Sequence, residues 1–242
     1  MPELTQKKVG IIACSGEELP EGTVTRLAAL RVLEQLRPGE TVTICLPLFL
    51  AGGEGDRAFA KFYPTIAIDG CEKRCAYRGT EQYSNRPAAG IVVSDLIAQH
   101  GLENPVGRRK LDAARMQAVE RTADLAARKV DELLGKAWSR REGKFSGPQA
   151  PTQEEGAATC SCGSGIPIQK VQVNGQEMSL VALPLIFQNL FQLGRIPGND
   201  VADEMMAMVK IYNEINPEIE ADVKAVIMEA YAGYYTEQEV RA

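Results

Sequence analysis

Six cysteines, Cys14, Cys45, Cys71, Cys75, Cys160 and Cys162, stand beside a single histidine, His100, in a chain of 242 residues. One stretch concentrates their chemistry: Thr65-Ile66-Ala67-Ile68-Asp69-Gly70-Cys71-Glu72-Lys73-Arg74-Cys75. Two thiols four residues apart fall on one face if the segment is helical, and such a pair can grip one metal ion. A thiol at a helix N-terminus also ionises more readily, because the unpaired N–H groups stabilise its anion. With one histidine, a catalytic zinc built on two or three imidazoles is excluded within a single chain. Any metal site here is mostly or wholly sulfur.

The elements that must carry these residues follow from the hydrophobic pattern. Thr65–Ile68 is β-branched and uncharged, as suits a parallel strand covered on both faces. Asp69-Gly70 signals a turn or helix cap, and Glu72 to about Tyr83 is expected as a helix, with Cys71 at its start. Lys8–Cys14 and Thr41–Leu46 read as earlier strands, and Gly90–Ser94 as a fourth. Thr23 is the expected cap of a helix carrying Val24, Leu27, Leu30 and Leu33, which Pro38-Gly39 ends. Pro47–Gly55 is expected as a loop, and a short helix over Arg57–Phe62 leads to the central strand. Strands alternating with helices give right-handed crossovers and a parallel sheet, and such sheets bind ligands beyond their carboxyl ends. Cys14, Cys45 and Cys71 each fall at a strand's carboxyl end, and Cys75 adds a fourth thiol to that edge.

The rest of the chain is read more briefly. Leu111–Trp138 is expected as a long core-packing helix, its seam running Val119, Ala123, Ala126, Val130, Leu133, Ala137. Lys144–Gly165 lacks an apolar period and reads as a linker holding Cys160-Ser-Cys162. Beyond it, Asn174-Gly175 marks a hairpin. Three helices follow, opened by Pro184, Asp200 and Asn216-Pro217. The expected organisation is therefore 1–140, a cysteine-bearing α/β domain with its long helix; 141–165, a flexible linker; and 166–242, a hairpin with a helical C-terminal region. The fold class is α/β: a small parallel sheet flanked by helices (Rossmann-like), then a long helix and a small α+β tail.

The Cys14-Ser-Gly turn after the first strand, Cys45-Leu46, and Ile66-Ala67-Ile68-Asp69-Gly70-Cys71 followed by Cys75 together resemble the DGC-domain family, described as zinc-binding. The resemblance covers about residues 8–96. It implies Cys14, Cys45, Cys71 and Cys75 as zinc ligands and names no reaction. This chain departs from it in carrying Glu17-Glu18-Leu19-Pro20-Glu21 after the first cysteine, where a smaller, Gly/Ser-rich loop is expected.

Four readings of the thiols stay open at this point. They are a closed four-thiolate zinc site, with Zn–S of about 2.3 Å; an iron–sulfur cluster on the same ligands; a metal-free site with Cys71 as nucleophile and Cys75 resolving; and plain buried cysteines. Cys160 and Cys162 are either exposed thiols or accessory groups that swing to the sheet edge for redox, sulfur or metal transfer. Asp69 is read as a cap or turn residue, with support of the neighbouring ligand as its functional alternative. Lys73 and Arg74 read as exposed helix cations, and His100 as a surface histidine in a polar loop.

The net charge of −5 argues against a general grip on nucleic acid. The first turn lacks both G-x-G-x-x-G and a P-loop lysine, so a phosphate site is not expected. No apolar run reaches membrane-spanning length and no signal peptide is apparent, which makes a cytoplasmic protein the expectation. A protein partner or a homodimer is expected through the helical regions. The residues name no small-molecule substrate.

Overall fold

A computed structural model describes residues 7–107, 111–112, 115–141, 143–148, 159–160 and 166–241. The chain divides into two compact units, one made of the described residues of Lys7–Trp138 and Gly143–Gly165, the other of those of Ser139–Glu142 and Ile166–Ala242.

The first unit is built on a parallel sheet. Strand β1 (Val9–Ala13) leads through helix α1 (Pro20–Arg31) to β2 (Thr41–Thr43). The end of α1 loosens into a π-helical stretch, Val32–Leu36, closed by Arg37 N–H donating to Val32 O at 2.8 Å. Three short helices, α2 (Leu46–Ala51), α3 (Glu54–Arg57) and α4 (Phe59–Phe62), precede β3 (Thr65–Asp69). Helix α5 (Cys75–Tyr83), β4 (Ala89–Val92), α6 (Val93–His100) and the long α7 (Met116–Leu134) follow. A two-stranded sheet of β5 (Lys136–Ser139) and β6 (Lys144–Pro148) comes next, then the two-residue β7 (Thr159–Cys160). The main sheet runs β4-β3-β1-β2-β7, and every neighbouring pair is parallel.

Alternation along the strands splits the core in two, as a period of two residues dictates. Ile11, Ile66, Ile68 and Ile91 face a core with Val24 and Ala28 of α1, Val93 and Ile97 of α6, and Val119, Ala123, Ala126 and Val130 of α7. Ile12, Val42, Ile44 and Ala67 face the other, against Phe49, Phe59 and Ala76. Gly10 permits that second layer: a Cβ there would lie 2.6 Å from the Phe59 ring.

The α/β class read from the sequence is the observed one, and several boundaries differ. The expected loop Pro47–Gly55 contains α2 and the start of α3, because Pro47 suits the first turn of a helix. Leu19, not Thr23, precedes α1, and Thr23 is buried inside that helix. The long helix stops at Leu134, and Trp138 lies in β5, where its indole donates to the carbonyls of Lys61 and Phe62 at 3.2 Å. Strands β6 and β7 fall inside the stretch expected as a linker. No described helix is long and apolar enough to cross a membrane.

In the second unit, β8 (Ile168–Val173) and β9 (Gln176–Val181) form the antiparallel hairpin expected from Asn174-Gly175. Both turn residues have positive φ, 52° and 77°, as a type I′ turn requires. Helices α8 (Leu183–Gln192), α9 (Asn199–Tyr212) and α10 (Glu220–Arg241) pack with it. Asn213 ties α9 to β9: its side chain accepts from Val181 N and donates to Val181 O and Val209 O.

Candidate functional site

Because β1, β2 and β3 are parallel, their carboxyl ends share one edge of the sheet. Cys14 follows Ala13 directly; Cys45 precedes α2; Cys71 lies two residues beyond β3; Cys75 opens α5. Cys14 and Cys71 are half-buried, and Cys45 and Cys75 are exposed.

The helix after β3 starts later than its propensities suggest. Cys71 to Arg74 form a turn in which Arg74 N–H donates to Cys71 O at 3.1 Å, and Arg74 has φ 51°. Cys75 is thus the first helical residue, and Cys71 lies outside the helix. The cause is Asp69. Its buried carboxylate accepts from Ala76 N at 2.7 Å and Tyr77 N at 3.1 Å, the otherwise unpaired donors of the first turn. Asp69 therefore does cap the helix, but from the end of the strand, across the intervening turn. Arg74, expected to be an exposed cation, instead lies over the Tyr77 ring at 4.0 Å.

Gly70 makes the next connection. A Cβ at this position would sit 3.1 Å from Glu21 C and Gly22 N, so a side chain would press on the backbone of α1. That close approach is matched by a still closer one: a Cβ on Gly22 would meet Gly16 O at 1.8 Å. The loop after β1 is thus folded onto the start of α1, and the end of β3 rests against both. Gly70 N–H is thereby delivered to Cys14 Sγ at 3.3 Å. On its other side the same sulfur lies 3.7 Å from Thr25 Oγ1. Ser15, with φ 48°, turns its N–H to Thr25 Oγ1 at 3.1 Å. Thr25, Gly22 and the packing role of Gly70 were not legible as site features; a threonine early in an apolar helix after Cys-Ser-Gly was the available signal.

Electrostatics link three of the thiols. Partial loss of solvent pushes the Cys75 thiol up from its ordinary range, and Asp69, Cys14 and Cys71 push it the same way, while Lys73 opposes them. Burial also raises the Asp69 carboxyl, against the two N–H bonds it accepts and the charge of Arg74. Cys75 is thus within electrostatic reach of Asp69, Cys14 and Cys71. Cys45 shares the edge, but it is not among the groups acting on Cys75. Among the described residues, no three His, Cys, Asp or Glu side chains already stand in the geometry of a metal site. The donor atoms at this edge are cysteine sulfurs, the set zinc accepts as thiolates in structural sites. Helix α6 begins where β4 ends, and His100 is exposed at the other end of that helix. Cys160 pairs in register with Thr43 of β2, and Cys162 lies outside the described residues.

The family model of the DGC domain matches residues 10–120. The resemblance read from about residues 8–96 holds and extends into the start of α7. The matched residues contain all four thiols of the sheet edge and end before the β5–β6 sheet. Among them, the three residues Asp69-Gly70-Cys71 have separate physical tasks: a distant helix cap, a close backbone contact with a donor to Cys14, and a thiol. No curated protein and no solved structure matches the chain.

Proposed function

We propose that the carboxyl edge of the sheet is a thiolate metal site, and that its metal is zinc. The observation that carries this reading is positional: Cys14, Cys45 and Cys71 follow three adjacent parallel strands at their carboxyl ends, and Cys75 opens the helix that Asp69 caps from the end of β3. Cys45, at the end of the adjacent strand β2, is the fourth ligand of the reading. Holding one ion would require these sulfurs to stand closer together than they do, since among the described residues no three such side chains form a metal site. Bound there, zinc would supply a closed structural staple joining β1, β2, β3 and α5. A reducing, cytoplasmic setting belongs to the same reading, since it keeps exposed thiols such as Cys45 and Cys75 free to bind.

A second reading, thiol chemistry for redox, sulfur or metal transfer, draws on one further observation. Strand β7 docks beside β2, placing the Cys160 backbone opposite Thr43. That register favours Cys45, two residues beyond Thr43, over Cys71 as the partner of the Cys160 segment. Protein purified without air distinguishes the readings by elemental analysis and absorption spectroscopy. The zinc reading expects about one zinc per chain. Iron and sulfide with broad visible absorption would replace zinc by a cluster, and the absence of both would leave the thiol reading.

A further inference from the structure

Thr25 is fully buried, yet its hydroxyl is placed between three polar partners drawn from two segments. A hydroxyl has one proton to give and two lone pairs to accept with. The proton goes to Gly22 O at 2.8 Å. One lone pair takes Ser15 N–H at 3.1 Å. The remaining one faces Cys14 Sγ at 3.7 Å. Either atom can be the donor in that contact: the thiol while the hydroxyl proton lies on Gly22 O, and Thr25 once its hydroxyl is turned to the sulfur.

A sulfur that binds a metal or attacks an electrophile carries no proton and can only accept. Gly70 N–H already donates to it from one side, at 3.3 Å. The Thr25 hydroxyl needs only to rotate about its C–O bond to donate from the other. Gly22 O is not stranded by that rotation, because Gly22 lies in α1 and helical carbonyls accept from the N–H four residues on. The Ser15 N–H bond survives, since it uses a lone pair and not the proton.

We propose that Thr25 is the positioning residue of Cys14, a buried hydroxyl that turns from Gly22 O to donate to the anionic sulfur opposite Gly70 N–H. This rests on Cys14 belonging to the thiol site proposed above. It gives the first helix of the DGC domain a part in that site which none of its cysteines would reveal. A hydrogen bond to a charged acceptor is strong enough for its loss to be read as a change of about tenfold.

The test compares the full chain with Thr25→Val, which keeps the shape and removes the hydroxyl, and Thr25→Ser, which keeps the hydroxyl. Metal-free protein is treated with iodoacetamide at one pH, and alkylation of Cys14 is followed relative to Cys45 by peptide mass spectrometry. Zinc-loaded protein is challenged with excess EDTA. Thr25→Val is expected to slow Cys14 alkylation relative to Cys45 by about three- to tenfold and to speed zinc loss about tenfold, while Thr25→Ser stays within about twofold on both. General loosening of the fold would move both thiols together and leave their ratio unchanged. An unchanged ratio in Thr25→Val, or a Thr25→Ser protein that behaves like Thr25→Val, overturns the proposal. Thr25→Ala replaces the valine variant if circular dichroism shows that variant unfolded. Should the parent take up no zinc, the metal reading falls while the alkylation ratio still decides the role of Thr25.

Discussion

The two units use buried polar and aromatic groups differently. In the parallel-sheet unit, two buried polar side chains act at the carboxyl ends of strands, Asp69 capping α5 and Thr25 contacting Cys14 and Ser15, while Thr80 and Thr122 bond carbonyls of their own helices. In the second unit, buried polar side chains lock secondary structure internally. Asn213 closes α9 on β9, and Tyr231 donates its hydroxyl to Arg195 O at 2.6 Å. Burial with Tyr235, Tyr234 and Glu204 nearby pushes that phenol up to about 12, so it stays a neutral donor. Phe187, Phe191, Tyr231, Tyr234 and Tyr235 form one ring cluster there, and this unit contains no cysteine. The comparison teaches where chemistry can be placed. A parallel sheet leaves every strand end on one edge, open to loops, whereas a hairpin wrapped by helices consumes its polar groups in holding itself together.

The largest expected effect tests whether that division is energetic as well as chemical. Phe187→Ala removes a fully buried ring from the aromatic cluster and should cost about 3–5 kcal/mol in denaturant unfolding of the second unit. Zinc content and Cys14 alkylation should be unchanged; a loss of either would break the division. Next in size is Gly70→Ala. Its Cβ would press on backbone atoms that cannot rotate away, so about 1–3 kcal/mol is expected, together with lower metal uptake. Normal uptake would show that the contact between β3 and α1 does not serve the site.

Asp69→Ala leaves the Ala76 and Tyr77 N–H groups without their acceptor and should cost about 1 kcal/mol, as for other helix caps. Its pH dependence sharpens the comparison further. The Asp69 carboxyl is raised in the folded state, so the native protein binds more protons than the unfolded chain between the ordinary and the raised value. The stability of the parent over Asp69→Ala should therefore grow as pH falls through that window and shrink as pH rises. Asp131 is the opposite case. Arg37 donates to it at 2.6 and 2.7 Å and lowers its carboxyl. Its contribution is present above the ordinary carboxylate range and is lost as pH falls through the lowered value. The pair is largely exposed, so Asp131→Asn should cost no more than about 0.5 kcal/mol, the smallest of these effects. Urea midpoints of both variants across the acid range check the two signs.

Much of the first unit was legible without coordinates. The uncharged, β-branched-rich runs over 9–13 and 65–68 mark strands, and their alternation with helices dictates a parallel sheet. From that alone, Cys14, Cys45 and Cys71 fall at one edge, as they do. The hairpin at Asn174-Gly175 was equally plain, because few residues tolerate two successive positive φ angles. What the sequence could not decide were contacts between residues far apart in the chain. Local propensity begins a helix at Glu72, but Asp69 caps the N–H groups of Ala76 and Tyr77, and that moves the start to Cys75. Nothing in the periodicity of α1 singles out Thr25; its meaning comes from the fold of residues 14–22 that sets it against a sulfur. The two-residue β7 had no hydrophobic pattern to announce it, and the open edge of β2 supplied its hydrogen-bonding partner. Hydrophobic period is a local property and set which thiols share an edge. Caps, glycine contacts and strand edges join distant segments, so only the tertiary structure decided what surrounds those thiols and holds them in place.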